Sequence, residues 1–354
     1  MLIYNIFFNV YNNMKNSTKK YNQQTKKFKS VKIEPNKKKF ISIPSLFPRT
    51  KKKVISISFI TLITIFIIIF IVFFFFSSEN IINFDYSNYD RNRITDEMLQ
   101  KSEWNLTTEE VYFINGVIRK FKPKKCLEIG VGRGGTSILI LNAIKDIKGS
   151  FLISIDLNSK IPEDSSKKIG YRVSKYFPSL TQNWQLHTDV MPHKILDKIN
   201  KKFNLAIIDT SHIMPGEILN IIEIMPFLED NAILVFPNMI SHLYNVYNKD
   251  MDKTLIKRTP TSIYLMASLI GKKKIIYDKN KKMGNIGLII LEKNQERFYE
   301  NYFLLLMNIW EEMLSDEQIF KFRLFLEKYY KKEKYLNIFE NAILYNKEYQ
   351  KNFK

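Results

Sequence analysis

Eight residues of the 354-residue chain have the types and the spacing to do chemistry together: Glu128, Gly130, Gly132, Gly134, Asp156, Asp189, Asp209 and His212. The first four lie in KCLEIGVGRGGT, residues 125–136, where a short apolar run passes into a glycine-rich turn and then into a second apolar stretch at residues 138–141. Bare glycine backbone at a strand-to-helix turn permits a tight reversal and lets a small ligand approach the main chain. The acid before the turn selects the ligand's charge, because a carboxylate there attracts a cation and repels a phosphate. Asp156 follows Glu128 by 28 residues at the end of FLISID. It can accept hydrogen bonds from two hydroxyls of one sugar, or, as a plain structural residue, cap the next helix. Asp189 in LHTDVMPHKI, and Asp209 with His212 in NLAIIDTSHIMPGEIL, close two further apolar runs. Either Asp209 or His212 can accept a proton, and His212 is preferred because a free imidazole titrates near neutrality. The bland alternative is that Asp209 caps a helix and His212 is structural.

The glycines permit two readings. Gly130, Gly132 and Gly135 satisfy the GxGxxG with which dinucleotide-binding folds seat a pyrophosphate on a helix N-terminus. With the acid included, Glu128-x-Gly130-x-Gly132-x-Gly134 resembles the signature of class I S-adenosylmethionine-dependent methyltransferases, and the acid decides for the second reading. Residues 208–212 resemble the IDGxH segment of a methyltransferase subgroup among small-molecule and sugar-modifying enzymes, with Thr210 in place of the glycine. The resemblance implies S-adenosyl-L-methionine as cofactor, bound by Glu128, the three glycines and Asp156, with Asp189 receiving the adenine amino group. It implies methyl transfer to a small molecule, a glycan or a lipid-linked precursor, with His212 or Asp209 as catalytic base. Such a displacement chiefly requires alignment and exclusion of water. Where the family often has an acid after strand five, this chain has Pro237-Asn238, and Asp209 with Asn238 is a poor oxygen cage, so no metal is expected. Two rivals stay open. One is a catalytically inactive interaction protein on the same fold, suggested by Thr210 and Pro237. The other is an NAD-dependent oxidoreductase using the same glycines.

These residues must be presented by an alternation of strands and helices. Apolar runs at residues 126–129, 151–155, 183–188, 205–208, 232–236, 274–277 and 285–291, mostly separated by helical stretches, predict an α/β fold with a doubly wound, mostly parallel seven-stranded sheet. The last two runs are expected to close as a hairpin. The capping box Thr107-Thr-Glu-Glu110 opens a helix before the glycine strand, and Ser315-Asp-Glu-Gln318 opens one in the aromatic, charged extension at residues 293–354. The methyltransferase-like domain is expected over residues 107–292, behind a linker at 77–106.

Composition adds a membrane. Residues 54–76 carry no charge over 23 positions, and as a helix they would reach about 34 Å, enough for a hydrocarbon core of about 30 Å. Of the formal charge of +20, residues 1–53 hold 14 Lys and Arg against the single acid Glu34. That leaves +7 for the other 301 residues, which excludes a nucleic-acid footprint on the folded part. The basic tail is read as disordered and near anionic lipid. The positive-inside bias places the N-terminus in the cytoplasm and residues 79–354 across the membrane. This sits in tension with a cofactor made in the cytosol. The single Cys126 excludes an internal disulfide.

Overall fold

The computed structural model describes residue 82 and residues 89–102, 106–239, 261–278 and 283–353. The expected transmembrane helix at 54–76 and the basic tail at 1–53 lie outside the described residues. Among the described residues no helix is long and apolar enough to cross a membrane.

In chain order the helices are α1 (Asp96–Lys101), α2 (Thr108–Phe121), α3 (Gly135–Ile144), α4 (Tyr171–Tyr176), α5 (Pro192–Ile199), α6 (Gly216–Ile224), α7 (Thr261–Ser268), α8 (Tyr299–Phe303), α9 (Asp316–Tyr329) and α10 (Glu333–Phe353). The strands are β1 (Lys125–Ile129), β2 (Phe151–Ile155), β3 (Lys160–Ile161), β4 (Asp164–Lys168), β5 (Trp184–His187), β6 (Phe203–Ile208), β7 (Leu228–Phe236), β8 (Gly271–Asp278) and β9 (Met283–Leu291). Seven strands form one sheet in the order β5-β2-β1-β6-β7-β9-β8. β5, β2, β1, β6 and β7 run parallel, and β9 is antiparallel to both β7 and β8.

The continuous apolar character of β1, β2 and β6 reflects burial on both faces. Side chains alternate across the sheet. Leu127 and Ile129 of β1 join the core under α5, α6 and the C-terminal helices, whereas Cys126 joins the core under α2 and α3. All ten residues of α3 are buried, so its sequence GTSILILNAI has no polar face to show. α2 begins at the expected box, with Thr107 Oγ1 accepting from Glu110 N at 3.3 Å and Glu110 Oε2 accepting from Thr107 N at 2.7 Å.

Two segments differ from the sequence reading. Part of the supposed linker is folded: Ile94, Met98 and Leu106 enter the core, and Asn115 Nδ2 of α2 donates to the carbonyls of Tyr89 and Asp90. After β2 the chain makes a small hairpin, β3 with β4, which no apolar alternation announced. The C-terminal extension packs on the sheet through an aromatic cluster that includes Tyr302, Phe303, Phe322, Tyr330 and Phe339. Tyr330 Oη donates to Ile222 O at 2.6 Å.

Candidate active site

The parallel register sets the site. Ile129 stands level with Ile155 and with Ile208, so the residues that follow, Gly130, Asp156 and Asp209, emerge together at the carboxyl edge of three adjacent strands. In an open α/β sheet this edge is where ligands bind. The three residues wall a cavity of about 710 Å³, inside the roughly 300–1,000 Å³ range of ligand pockets. Gly132, Arg133 and Thr136 continue one side of it. Leu157, Asn158 and the hairpin residues Ile161 and Glu163 form another, and Thr210, Ser211, His212, Asn220 and Asn238 a third.

The glycine turn is built by Asp156. Its Oδ2 accepts from the N–H groups of Val131 at 2.9 Å and Gly132 at 3.2 Å, and its Oδ1 accepts from Asn158 N at 2.9 Å. Two carboxylate oxygens have about four acceptor directions, so three backbone donors leave capacity for a ligand hydroxyl. Gly130 is required for a different reason. Its φ is +84°, and a Cβ there would stand 2.0 Å from Asp209 O, so the turn after β1 and the turn after β6 touch backbone to backbone.

Three of the eight residues stand elsewhere. Glu128 is fully buried and does not line the cavity; it shares a face of β1 with Cys126, toward α3. Its Oε2 accepts from Ser137 Oγ at 2.6 Å and Ser154 Oγ at 2.5 Å, and Oε1 has no partner. Burial pushes its carboxyl up to about 8, against the pull of the two serines and with a further push from Asp209 and Asp156. Gly134 is the N-cap of α3 and abuts Gly170 and Val173 behind the turn, while Gly135 reaches the wall. Asp189, expected to meet the adenine amino group, is exposed at φ +55° in the turn after β5, and its neighbour Val190 takes the wall position.

Asp209 and His212 are brought together. Asp209 N donates to Ile129 O at 2.9 Å, and His212, at φ +53°, folds back so that its Nε2 lies 3.7 Å from Asp209 Oδ1. Its Nδ1 lies 3.4 Å from Glu217 Oε1, a carboxylate buried at the start of α6, which also accepts from Ser262 Oγ at 2.6 Å. Burial alone would lower the imidazole's pKa, but the two flanking carboxylates outweigh it and raise it to about 10. The carboxylates on either side thus favour the imidazolium form of His212. The expectation of a free base at His212 rested on the unperturbed pKa and could not include Glu217 and Ser262. The same loop is clasped from outside: Met214 N donates to Glu311 Oε2 at 2.9 Å, and the N–H groups of Glu311 and Glu312 donate to Met214 O at 3.0 and 3.2 Å. Among the described residues no cluster of His, Cys, Asp or Glu is arranged to hold a metal ion.

Residues 127–239 match the family described as a methyltransferase domain. No curated protein matches the chain in sequence. Solved structures similar to it include a putative O-methyltransferase from Klebsiella pneumoniae, 13% identical over 60% of this chain and 92% of that one, with a TM-score of 0.41. The S-adenosylhomocysteine-bound methyltransferase PaMTH1 from Podospora anserina is 14% identical over 56% of this chain and 89% of that one, with a TM-score of 0.43. The O-methyltransferase TomG from Streptomyces achromogenes, in complex with S-adenosylmethionine, is 11% identical over 56% and 90%, with a TM-score of 0.41. The family match spans β1 to the turn after β7, with the acid-glycine turn seated on its first strand, so residues 127–239 are identified as a methyltransferase domain.

Proposed function

We propose that the chain is an S-adenosylmethionine-dependent O-methyltransferase, anchored to a membrane by residues 54–76 and acting on a hydroxyl of a small molecule, a glycan or a lipid-linked precursor. The observation that carries this reading is one cavity with two chemically distinct walls: bare glycine backbone organised by Asp156 on one side, and Asp209 beside a charged His212 on the other. The cofactor is cationic at its sulfonium and ammonium, and the donor set fits it, since the wall offers the carboxylates of Asp156 and Asp209. When bound it supplies an electrophilic methyl group.

The chain's own residues do the rest. Asp156 binds the ribose hydroxyls, and Val190 flanks the base. Leu157, Ile161 and Pro162 keep water from the site. Asp209 accepts the proton of the acceptor hydroxyl, because His212 already carries its own. His212 stands beside Asp209 as a positive charge, its Nε2 3.7 Å from Asp209 Oδ1. The test is calorimetric titration of the full chain in detergent micelles with S-adenosylmethionine. Saturable binding is expected, and its absence ends the reading. Protease accessibility of a C-terminal tag in sealed vesicles decides which side of the membrane the domain occupies; the positive-inside bias predicts the side opposite the N-terminus. Anchoring raises the effective concentration of a membrane-bound acceptor.

A further inference from the structure

Asp209 is held from behind by three residues that no motif marks. Asn238 Nδ2, in the turn after β7, donates to Asp209 Oδ1 at 3.3 Å, and Asn238 Oδ1 accepts from Asn285 Nδ2 of β9 at 3.4 Å. The same Asn285 Nδ2 donates to Glu110 Oε1 at 2.7 Å, and Glu110, in the first turn of α2, is fixed by its role in the capping box. Glu110 and Asn285 are each 2% exposed. Both ends of this run are carboxylates, which accept and do not donate when ionised. That forces the orientation of both amides. Asn285 must turn its NH2 to Glu110, the second hydrogen of that NH2 meets Asn238 Oδ1, and Asn238 is left with its own NH2 toward Asp209.

Burying the Asn285 amide and the Glu110 carboxylate in this seam is costly, the more so because Asn285 Oδ1 has no partner, and apolar side chains would fill the space without that cost. We propose that Glu110, Asn285 and Asn238 are positioning residues for methyl transfer: a one-way hydrogen-bond chain that fixes the direction in which Asp209 presents its carboxylate to the acceptor hydroxyl. This rests on the assignment of Asp209 as proton acceptor. The chain also explains why Asp209 Oδ1 stays 3.7 Å from His212 Nε2, beyond hydrogen-bond range, although the two are oppositely charged and Nε2 has no other partner. Asn238 holds the carboxylate back. With the chain cut, Asp209 closes on the ring and is withdrawn from the acceptor. The other groups facing His212 are Glu217 and Ser262, which the cut leaves in place.

The chain has four histidines, so His212 can be followed by imidazole NMR on the full-length protein in micelles, its signals identified by their loss in His212→Gln. Asn238→Leu and Asn285→Leu are each expected to shift the His212 Nε2 resonance and to raise its titration midpoint by about half a pH unit or more. Glu110→Gln preserves the helix cap but frees the amide direction, and is expected to give a smaller shift of the same sign. Where Asn285→Leu does not fold, Asn285→Ser removes the same donor with less bulk. An unchanged Nε2 resonance and midpoint in the Asn238 and Asn285 variants overturns the proposal, whatever happens to their thermal stability. Calorimetry with S-adenosylmethionine on the same wild-type samples separates the two ideas. Failure to bind ends the methyltransferase reading, whereas an NMR response still establishes that the chain sets Asp209.

Discussion

Replacing Gly130 by alanine tests the claim that the site exists because two turns touch. The new Cβ would stand 2.0 Å from Asp209 O and 2.7 Å from Asp209 C, where ordinary contact begins at 3.4 Å, so the two backbones must part by more than an ångström. They are stitched there by Asp209 N to Ile129 O, at 2.9 Å, and parting them strains that bond. Left-handed φ at +84° adds about 1–2 kcal/mol for any Cβ, and forced overpacking adds about 1–3 kcal/mol. Gly132 supplies the control. Its φ is +51°, but nothing lies within 4 Å of the position a Cβ would take, so Gly132→Ala carries the conformational cost alone. In thermal unfolding of the full chain, roughly 2–4 °C per kcal/mol for a domain of this size, Gly132→Ala is expected to lower Tm by about 2–8 °C and Gly130→Ala by about 2–12 °C more than that. Affinity for S-adenosylmethionine should fall at least about tenfold in Gly130→Ala, because Asp209 and the glycine turn no longer share one wall. Two variants within about 2 °C of each other would show that backbone contact between the turns is not what makes Gly130 necessary.

Further outcomes follow from the same geometry. Asp156→Asn keeps one carbonyl for the turn but loses the charge, and calorimetry should show S-adenosylmethionine binding weakened about tenfold or more; unchanged affinity removes Asp156 from the ligand site. Glu128 and His212 are raised within the accessible pH range, Glu128 to about 8 from 4.5 and His212 to about 10 from 6.5. A group whose pKa is raised on folding contributes stability that is present below its unfolded value and lost as pH climbs through its folded one. Tm is therefore expected to decline from pH 5 to pH 7, above which Lys273, lowered by burial from 10.5 to about 7, opposes the trend, with Glu128→Gln flattening that decline and the Tm gap between wild type and His212→Gln narrowing from pH 6.5 to pH 10; a rise from pH 5 to pH 7 would contradict the placement of Glu128. Cys126 is fully buried in β1 and its thiol is pushed up by burial, so a maleimide should label it only on unfolding. Rapid labelling of the native chain would place β1 wrongly.

The sheet was legible because parallel strands leave a strong trace. Burial on both faces makes β1, β2, β6 and the second half of β7 predominantly apolar, and glycine, proline and capping residues mark where they stop. Both capping boxes, at Thr107 and Ser315, close as their residue types require. What escaped lacks local signal. The hairpin of β3 and β4 is IPEDSSKK in sequence, with only Ile161 turned into the protein, so no alternation betrays it. Residues 89–102 read as a linker because they are polar overall. They are held by distant partners instead, Asn115 and Arg119 of α2 on Tyr89 and Asp90.

The active site was half legible for a related reason. Asp156 and Asp209 each follow the last residue of a strand, and equal register at Ile129, Ile155 and Ile208 carries both to the same edge. Glu128 precedes the last residue of its strand, so alternation turns it sideways toward α3, where two serines hold it and no cavity reaches it. One position along a strand separates a carboxylate that lines the cavity from one that lies behind its wall. The state of His212 was beyond any local pattern, since Ser262, which shares Glu217 with it, is 50 residues away. Under the proposed function, a charged ring has no lone pair with which to take a proton, and the role of base is assigned to Asp209. Its orientation depends in turn on Asn238, Asn285 and Glu110, residues from three elements that meet only when the last, antiparallel strand closes against β7.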